Sequence, residues 1–214
     1  MDYFFENQND CNIKKAHKHS IHYKILLFYI MNFIKILILF NPILSLDDEE
    51  SNYSFITLKI NKTGNIKLFY SGENALCSKQ NFSYPDMIQI NGINLTYITS
   101  EYEFNTTENI IKLIWKKAPL NIECLFYYCS DIIEIDFSNF DSSNIKKMNY
   151  MFYSCTSLIS INFDNFITSN VVDMNNMFCQ CMALPSLNLS GFDTSMVENM
   201  DSMFSICSVL SSLD

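Results

Sequence analysis

From Leu125 to Asp214 the chain repeats itself every 26 residues, and no other feature restricts its fold as much. In register the units are 125–150, 151–176, 177–202 and the partial unit 203–214, aligned without a gap. Phe126, Phe152, Phe178 and Phe204 form one column, Cys129, Cys155, Cys181 and Cys207 a second, and Met148, Met174 and Met200 a third. A fixed period of about 20 to 50 residues marks a repeat architecture, in which each unit buries its apolar face only against its neighbours. The Met and Phe columns are therefore core.

Each unit reads as a strand followed by a helix. Leu184, Leu187 and Leu189, then Phe192, have the L-x-x-L-x-L spacing of a leucine-rich-repeat strand, matched by Ile132, Ile135, Phe137, Phe140 and by Leu158, Ile161, Phe163, Phe166. After the polar turn Asp193-Thr194-Ser195 the apolar positions change step to Met200, Met203, Phe204, Cys207 and Leu210, which fits one helical face. Ser195 with Glu198 has the spacing of a capping box, and Ser143 and Ser169 occupy the same N-cap column. The expected fold class is α/β: a leucine-rich-repeat-like solenoid over 125–214, preceded by a small all-β N-terminal module over 51–124.

The unit with Met-Phe at its start, Cys at its fifth position and Leu-x-x-Leu-x-Leu-Ser-x-Phe-Asp-Thr-Ser later resembles the repeat of the BspA-like leucine-rich-repeat surface proteins of bacteria, mycoplasmas and protozoan parasites. Residues 177–200 follow that pattern most closely, and Ile167 departs from it where the column otherwise holds Asp. The resemblance implies an extracellular or surface-attached protein acting in adhesion or protein binding, with a protein, host or extracellular-matrix ligand as partner and no family-wide catalytic residues. The fourth unit breaks off in mid-repeat, so further repeats and a C-terminal anchor are expected in a longer protein.

Between 51 and 124 the apolar period is two. Three hairpins are expected: 55–60 with 66–70 around Gly64, 87–90 with 93–98 around Asn91-Gly92, and 101–104 with 110–115. This module is expected to close one apolar end of the repeat, with Trp115, the single tryptophan, at the junction.

Residues 1–45 read as a signal peptide or an uncleaved signal anchor. An apolar run from Ile25 to Leu46 follows Lys14, Lys15, Lys18 and Lys24 and precedes Asp47-Asp48-Glu49-Glu50. Met31 is an alternative start that gives a leader of ordinary signal-peptide proportions. Six Asn-X-Ser/Thr sequons, at Asn52, Asn61, Asn81, Asn94, Asn105 and Asn188, point to the same secretory route and an extracellular or cell-surface address.

The positive charge comes from 14 Lys with no Arg, and from Leu46 onward acids outnumber Lys by 20 to 9. Such a chain is poorly suited to nucleic acid or anionic membrane surfaces, so a membrane enters only through an N-terminal anchor or a C-terminal segment. No His follows His22, and no Walker loop, dinucleotide fingerprint or zincin motif occurs, so no enzyme activity, cofactor, metal or catalytic residue is expected. The Cys column is read as buried free thiols, because stacked helices stand too far apart for disulfides; Cys77 has no identified partner. Asp136, Asp141 and Asp193 are read as turn and capping residues. The candidate binding face is the set of polar positions between the strand columns: Glu134, Asp136, Ser160, Asn162, Ser186 and Asn188. An intracellular leucine-rich-repeat scaffold and a glycan-binding module using Trp115 or the module's tyrosines are the alternative functions.

Overall fold

The computed structural model describes residues 53–72, 76–77 and 83–214, and residues 51–214 belong to one compact unit. The leader reading of residues 1–45, Met31, Asn52 and Asn81 lie outside the described residues. Among those described, all regular structure is β, in mixed parallel and antiparallel sheets, with no helix. The expected α/β leucine-rich-repeat solenoid does not form.

The N-terminal module contains β1 (Ser54–Asn61), β2 (Gly64–Lys67), β3 (Met87–Ile90), β4 (Ile93–Asn94), β5 (Glu101–Phe104) and β6 (Glu108–Trp115). Strict alternation buries Ile56, Leu58 and Ile60 of β1 on one face, as the period of two requires. Asn91 (φ 50°) and Gly92 (φ 80°) both adopt left-handed conformations and turn β3 into β4, the primed turn expected of Asn-Gly. Gly64 also takes positive φ, at 101°, but the other two hairpins are not made. β2 pairs instead with β5 in a separate sheet, while β1 and β6 pair with each other. Ile66, Leu68, Tyr102 and Phe104 thereby share a core with β1 and β6, which local pairing of each turn's flanks would have denied them.

The repeat contributes β7 (Ile132–Asp136), β8 (Ser160–Asn162), β9 (Ser186–Leu187) and β10 (Ser212–Leu213), and parallel pairing puts each residue beside its equivalent 26 positions on. The six-stranded sheet runs β4-β3-β6-β1-β7-β8, so β1 lies antiparallel along the outer edge of the first repeat strand. Three further contacts close that end. Phe55 N–H donates to Asn139 O, Asp141 N–H donates to Ser54 Oγ, and Tyr70 N–H donates to Leu125 O. A Cys77–Cys124 disulfide joins the module to the first turn of the repeat, and Trp115 packs edge-on against Phe140 at 5.5 Å. A bare edge of backbone donors and acceptors is covered, which repeat ends require.

β9 and β10 form a separate two-stranded sheet, and one residue accounts for the interruption. Ile159 N–H donates to Ile133 O, and Ser211 N–H donates to Pro185 O. The donor that would join the second and third units in that column belongs to Pro185, which has no N–H.

The segments expected to be helices are ladders of tight turns. Met151, Tyr153 and Cys155 each donate an N–H three residues back, to Met148, Tyr150 and Phe152. The residues between them donate to the next unit: Tyr150 to Asn175 O, Phe152 to Met177 O and Ser154 to Cys179 O. An α-helix would send every one of these N–H groups four residues back within the segment. Left-handed residues recur in two columns, Cys124, Tyr150, Asn176 and Ser202 (φ 52–57°) and Tyr128, Ser154, Gln180 and Ile206 (φ 58–64°), and each one stops helix propagation. The apolar steps of three therefore mark hydrogen-bonded turns.

Stacked aromatic columns fill the interior. Phe126, Phe152, Phe178 and Phe204 lie nearly parallel, with centroids 5.2–5.7 Å apart. Phe137 on Phe163 and Phe140 on Phe166 on Phe192 form two more columns, meeting each other edge to face as aromatic quadrupoles prefer. A buried hydroxyl also clamps successive units. Ser142 Oγ accepts from Ile167 N–H and donates to Ile167 O, and Thr168 Oγ1 does the same with Asp193.

Candidate functional site

The sheet's outer face carries the expected binding positions in two rows, because parallel register aligns equivalent residues across strands. Across β6, β1, β7 and β8 one row reads Ile110, Lys59, Glu134, Ser160, and the other Lys112, Thr57, Asp136, Asn162. Glu134, Asp136, Ser160 and Asn162, with Thr57, Lys59 and Ile110, line one open groove of about 300 Å³. Ser186 and Asn188 continue the columns into the separate β9–β10 sheet, beyond the Pro185 interruption, and are exposed.

The groove sets polar side chains beside the apolar Leu58, Ile110 and Ile135, with its charges partly matched. Lys59 Nζ lies 2.9 Å from Glu134 Oε1, and that bond raises the lysine pKa above its ordinary value. Asp136 Oδ1 accepts from Ser138 N–H and from Asn162 Nδ2 at 3.1 Å, leaving Oδ2 facing no hydrogen-bond donor of the described residues. On the adjoining strands Lys112 lies over the Phe55 ring, 4.5 Å from its centroid. Ile110, 56 % exposed, supplies an apolar spot among these polar groups.

Acidic and amide side chains at the corners build turns. Asp136, Asn162 and Asn188 accept from the N–H two residues on, as do Asp141, Asp193, Asp173 and Asn199 in their own columns. Ser143 holds Asp141 below the usual carboxylate pKa through its hydroxyl and amide, and Ser195 does so for Asp193. No group of three or more His, Cys, Asp or Glu side chains among the described residues is placed to hold a metal ion.

Cys129, Cys155 and Cys181 are free and buried, and Cys207 is free and half-buried. The expected reason, wide helix spacing, does not apply. The three thiols after the first unit turn instead to a main-chain acceptor of the preceding unit: Cys155 to Phe126 O, Cys181 to Phe152 O and Cys207 to Phe178 O. Burial pushes the Cys129 thiol up to about 12 and those of Cys155 and Cys181 well above their ordinary range, so they are poor nucleophiles. Trp115 is buried, with Nε1 donating to Ser83 O, and offers no ring to a glycan. The described sequons, Asn61, Asn94, Asn105 and Asn188, are all exposed. No described helix is long and apolar enough to cross a membrane.

A tyrosine cluster on the turn side escaped the sequence reading. Tyr127 stacks on Tyr153 at 5.2 Å, Tyr128 and Tyr150 flank Tyr153 at 5.6 and 5.7 Å, and Tyr70 meets Tyr127 edge-on at 5.3 Å. The signal was present in Tyr127-Tyr128 and, 26 residues after Tyr127, in Tyr153 with Tyr150 three residues before it.

No curated protein and no solved structure matches the chain. A family model does match residues 120–213, described as Mycoplasma protein of unknown function, DUF285. The matched segment begins at Leu120, five residues before the sequence reading began the first unit. The BspA-like leucine-rich-repeat resemblance is overturned, since no leucine-rich-repeat or BspA family model matches and the described repeat has no helix; what residues 120–213 are similar to is the Mycoplasma family of unknown function.

Proposed function

We propose that this is a non-enzymatic protein of the cell surface or extracellular space that binds a protein partner, a host or matrix ligand, through the outer face of its β1–β7–β8 sheet. The carrying observation is the groove: four polar positions from two consecutive units, joined by Lys59 of the capping strand, converge on one concave surface. Short polar side chains on paired strands are displayed at fixed spacing, so a partner meets a pre-organised surface with little ordering cost. The Cys77–Cys124 disulfide and the exposed sequons at Asn61, Asn94, Asn105 and Asn188 support an oxidising, secretory route over the intracellular-scaffold alternative.

Two measurements test this reading. Labelling of intact source cells with a membrane-impermeant amine reagent should modify the protein; labelling only after lysis would remove the surface assignment. Binding of the full chain to immobilised extracellular-matrix proteins should be detectable and should fall at least tenfold in the double variant Asp136→Lys, Asn162→Ala. Equal binding by the wild type and this variant would exclude the groove.

A further inference from the structure

The main-chain ladder of the turn side joins the later units and breaks at the first one. Val172 N–H donates to Lys146 O and Glu198 N–H to Val172 O, while Met148 N–H donates to Asp173 O and Met174 N–H to Asn199 O. One unit earlier the same two bonds would run from Lys146 N–H to Leu120 O and from Ile122 N–H to Lys147 O. Among the described residues neither is made. The bridges of Lys147 with Asp173 and of Asp173 with Asn199 likewise have no Asn121–Lys147 counterpart there. The ladder resumes at Cys124, whose N–H donates to Asn149 O. Residues 116–121 arrive from β6 and not from a preceding repeat turn, and where they leave the ladder the surface opens into a cavity of about 390 Å³. Leu120, Asn121, Asn144, Lys146 and Lys147 line it.

The break leaves a main-chain donor and a main-chain acceptor on adjoining residues. Lys146 N–H and Lys147 O have no partner among the described residues, although the matching groups of the next unit, Val172 N–H and Asp173 O, are both paired. The side chains add charge of one sign. Lys146 and Lys147 are exposed, no described acid lines the cavity, and the ion pairs among the described residues, Lys59–Glu134 and Lys62–Asp131, involve neither of them. Lys116 and Lys117, exposed and equally without an ion pair there, precede Leu120 on the same connection. Four of the nine lysines after Leu46 thus belong to the two segments that wall this cavity, in a chain of formal net charge −9. Of the acids nearby, Asp173 accepts Asn175 N–H, Asp86 accepts Lys116 N–H, and Glu123 is buried. An inorganic anion would satisfy the ammoniums and Lys146 N–H but would leave Lys147 O without a donor. A peptide main chain supplies a carbonyl and, two residues on, an N–H, which is the spacing of the two missing bonds.

We infer that this break in the ladder binds an extended acidic segment of a protein partner, at a site separate from the strand groove. One carbonyl of the segment accepts from Lys146 N–H, and the N–H two residues later donates to Lys147 O. Asp or Glu carboxylates of the segment meet the ammoniums of Lys146 and Lys147, and an aliphatic side chain packs on Leu120, which is 67 % exposed. Main-chain pairing fixes the register of the segment, and the lysines select acidic over basic sequences.

The test is calorimetric titration of the full chain, at low salt, with an acetylated, amidated (Glu-Val)4 peptide, with a copy methylated on its main-chain nitrogens, and with inorganic phosphate. The unmodified peptide should bind. The double variant Lys146→Gln, Lys147→Gln should weaken it about tenfold or more, the methylated copy should lose a similar factor, and Asp136→Asn in the strand groove should change nothing. Both lysines are exposed, so these variants should keep the fold, and Lys146→Glu alone, which reverses one charge, should weaken binding at least as much as the double variant. Failure of the peptide to bind, or equal binding by the wild type and the folded lysine variants, overturns the proposal. Equal binding by the methylated copy, or displacement of the peptide by phosphate at equal concentration, overturns it in favour of a bare anion site. Weakening by Asp136→Asn overturns it in favour of the strand groove.

Discussion

Each repeat unit has two sides, built from residues of similar apolar content and held by different backbone logic. On the strand side, β7 and β8 pair in parallel register and alternate, so every second residue points outward and is free to vary: Glu134 and Ser160, Asp136 and Asn162. On the turn side, N–H groups donate alternately within the unit and to the next one, which fixes Met151, Phe152 and Cys155 inward and leaves no simple two-residue alternation. The strand side is a display surface laid over the core, whereas the turn side is the core's own wall.

Substitutions should separate the two sides most sharply at the stacked phenylalanines. Phe152 is fully buried between Phe126 and Phe178, so Phe152→Ala should cost about 3–5 kcal/mol in denaturant unfolding. Ser160→Ala, on the strand side, should stay within about 0.5 kcal/mol of the wild type. Similar losses at both positions would show that the strand side is not a surface laid over the core. Between the two sides, Thr168→Val keeps the shape but strands Asp193 N–H and O, and should cost about 1–3 kcal/mol, with Thr168→Ser costing less.

A third substitution distinguishes turn ladder from helix by its sign. Ile206 is a β-branched residue at φ 60°, where an L side chain costs about 1–2 kcal/mol over an extended or right-handed conformation. Ile206→Gly removes that cost, against about 0.5–1 kcal/mol of added chain entropy, and should leave the protein unchanged to about 1 kcal/mol more stable. In a helix the same change would destabilise, because Gly is among the poorest helix formers. A clear loss of stability would therefore restore the helical reading of 200–210.

What the sequence made legible follows from which interactions are local. The 26-residue period, the alternation in β1, the Asn91-Gly92 turn and the outward positions of β7 and β8 all depend on spacing that side chains announce. The turn ladder was misread because Met200, Met203, Phe204, Cys207 and Leu210 fit one face of a helix and also a succession of three-residue turns. The discriminating residues, Tyr150, Ser154, Gln180 and Ile206, have no side-chain signature for φ > 0; Asn176 alone in that set favours it. The exchange of partners by β2 and β5 was hidden for a related reason, since Gly64 announces a reversal of direction without saying which strand the chain then joins. The tyrosine cluster includes Tyr70 of the N-terminal module against Tyr127, a contact distant in sequence that no local spacing announces.

The smallest expected effect is a pH dependence at the corner where the two sides meet. The Ser143 hydroxyl and amide lower the Asp141 pKa, so this carboxylate contributes stability that is fully present above its unfolded pKa, about 3.9, and is lost as pH falls through the lower folded value. Asp141→Asn keeps the turn but removes the charge, so the wild type's advantage over it should shrink to nothing in acid. The second unit provides its own control, because Ile167 occupies that column and Ser169 stands two residues on. Ile167 is exposed, and its main chain is already held by Ser142 Oγ, so Ile167→Asp adds a carboxylate to a preformed corner. Stability measured at pH 7 should rise slightly in this variant and return to the wild-type value below pH about 3. A gain that persists in acid would have to come from losing the exposed isoleucine, and no gain at pH 7 would mean that the corner is closed by the buried hydroxyl alone.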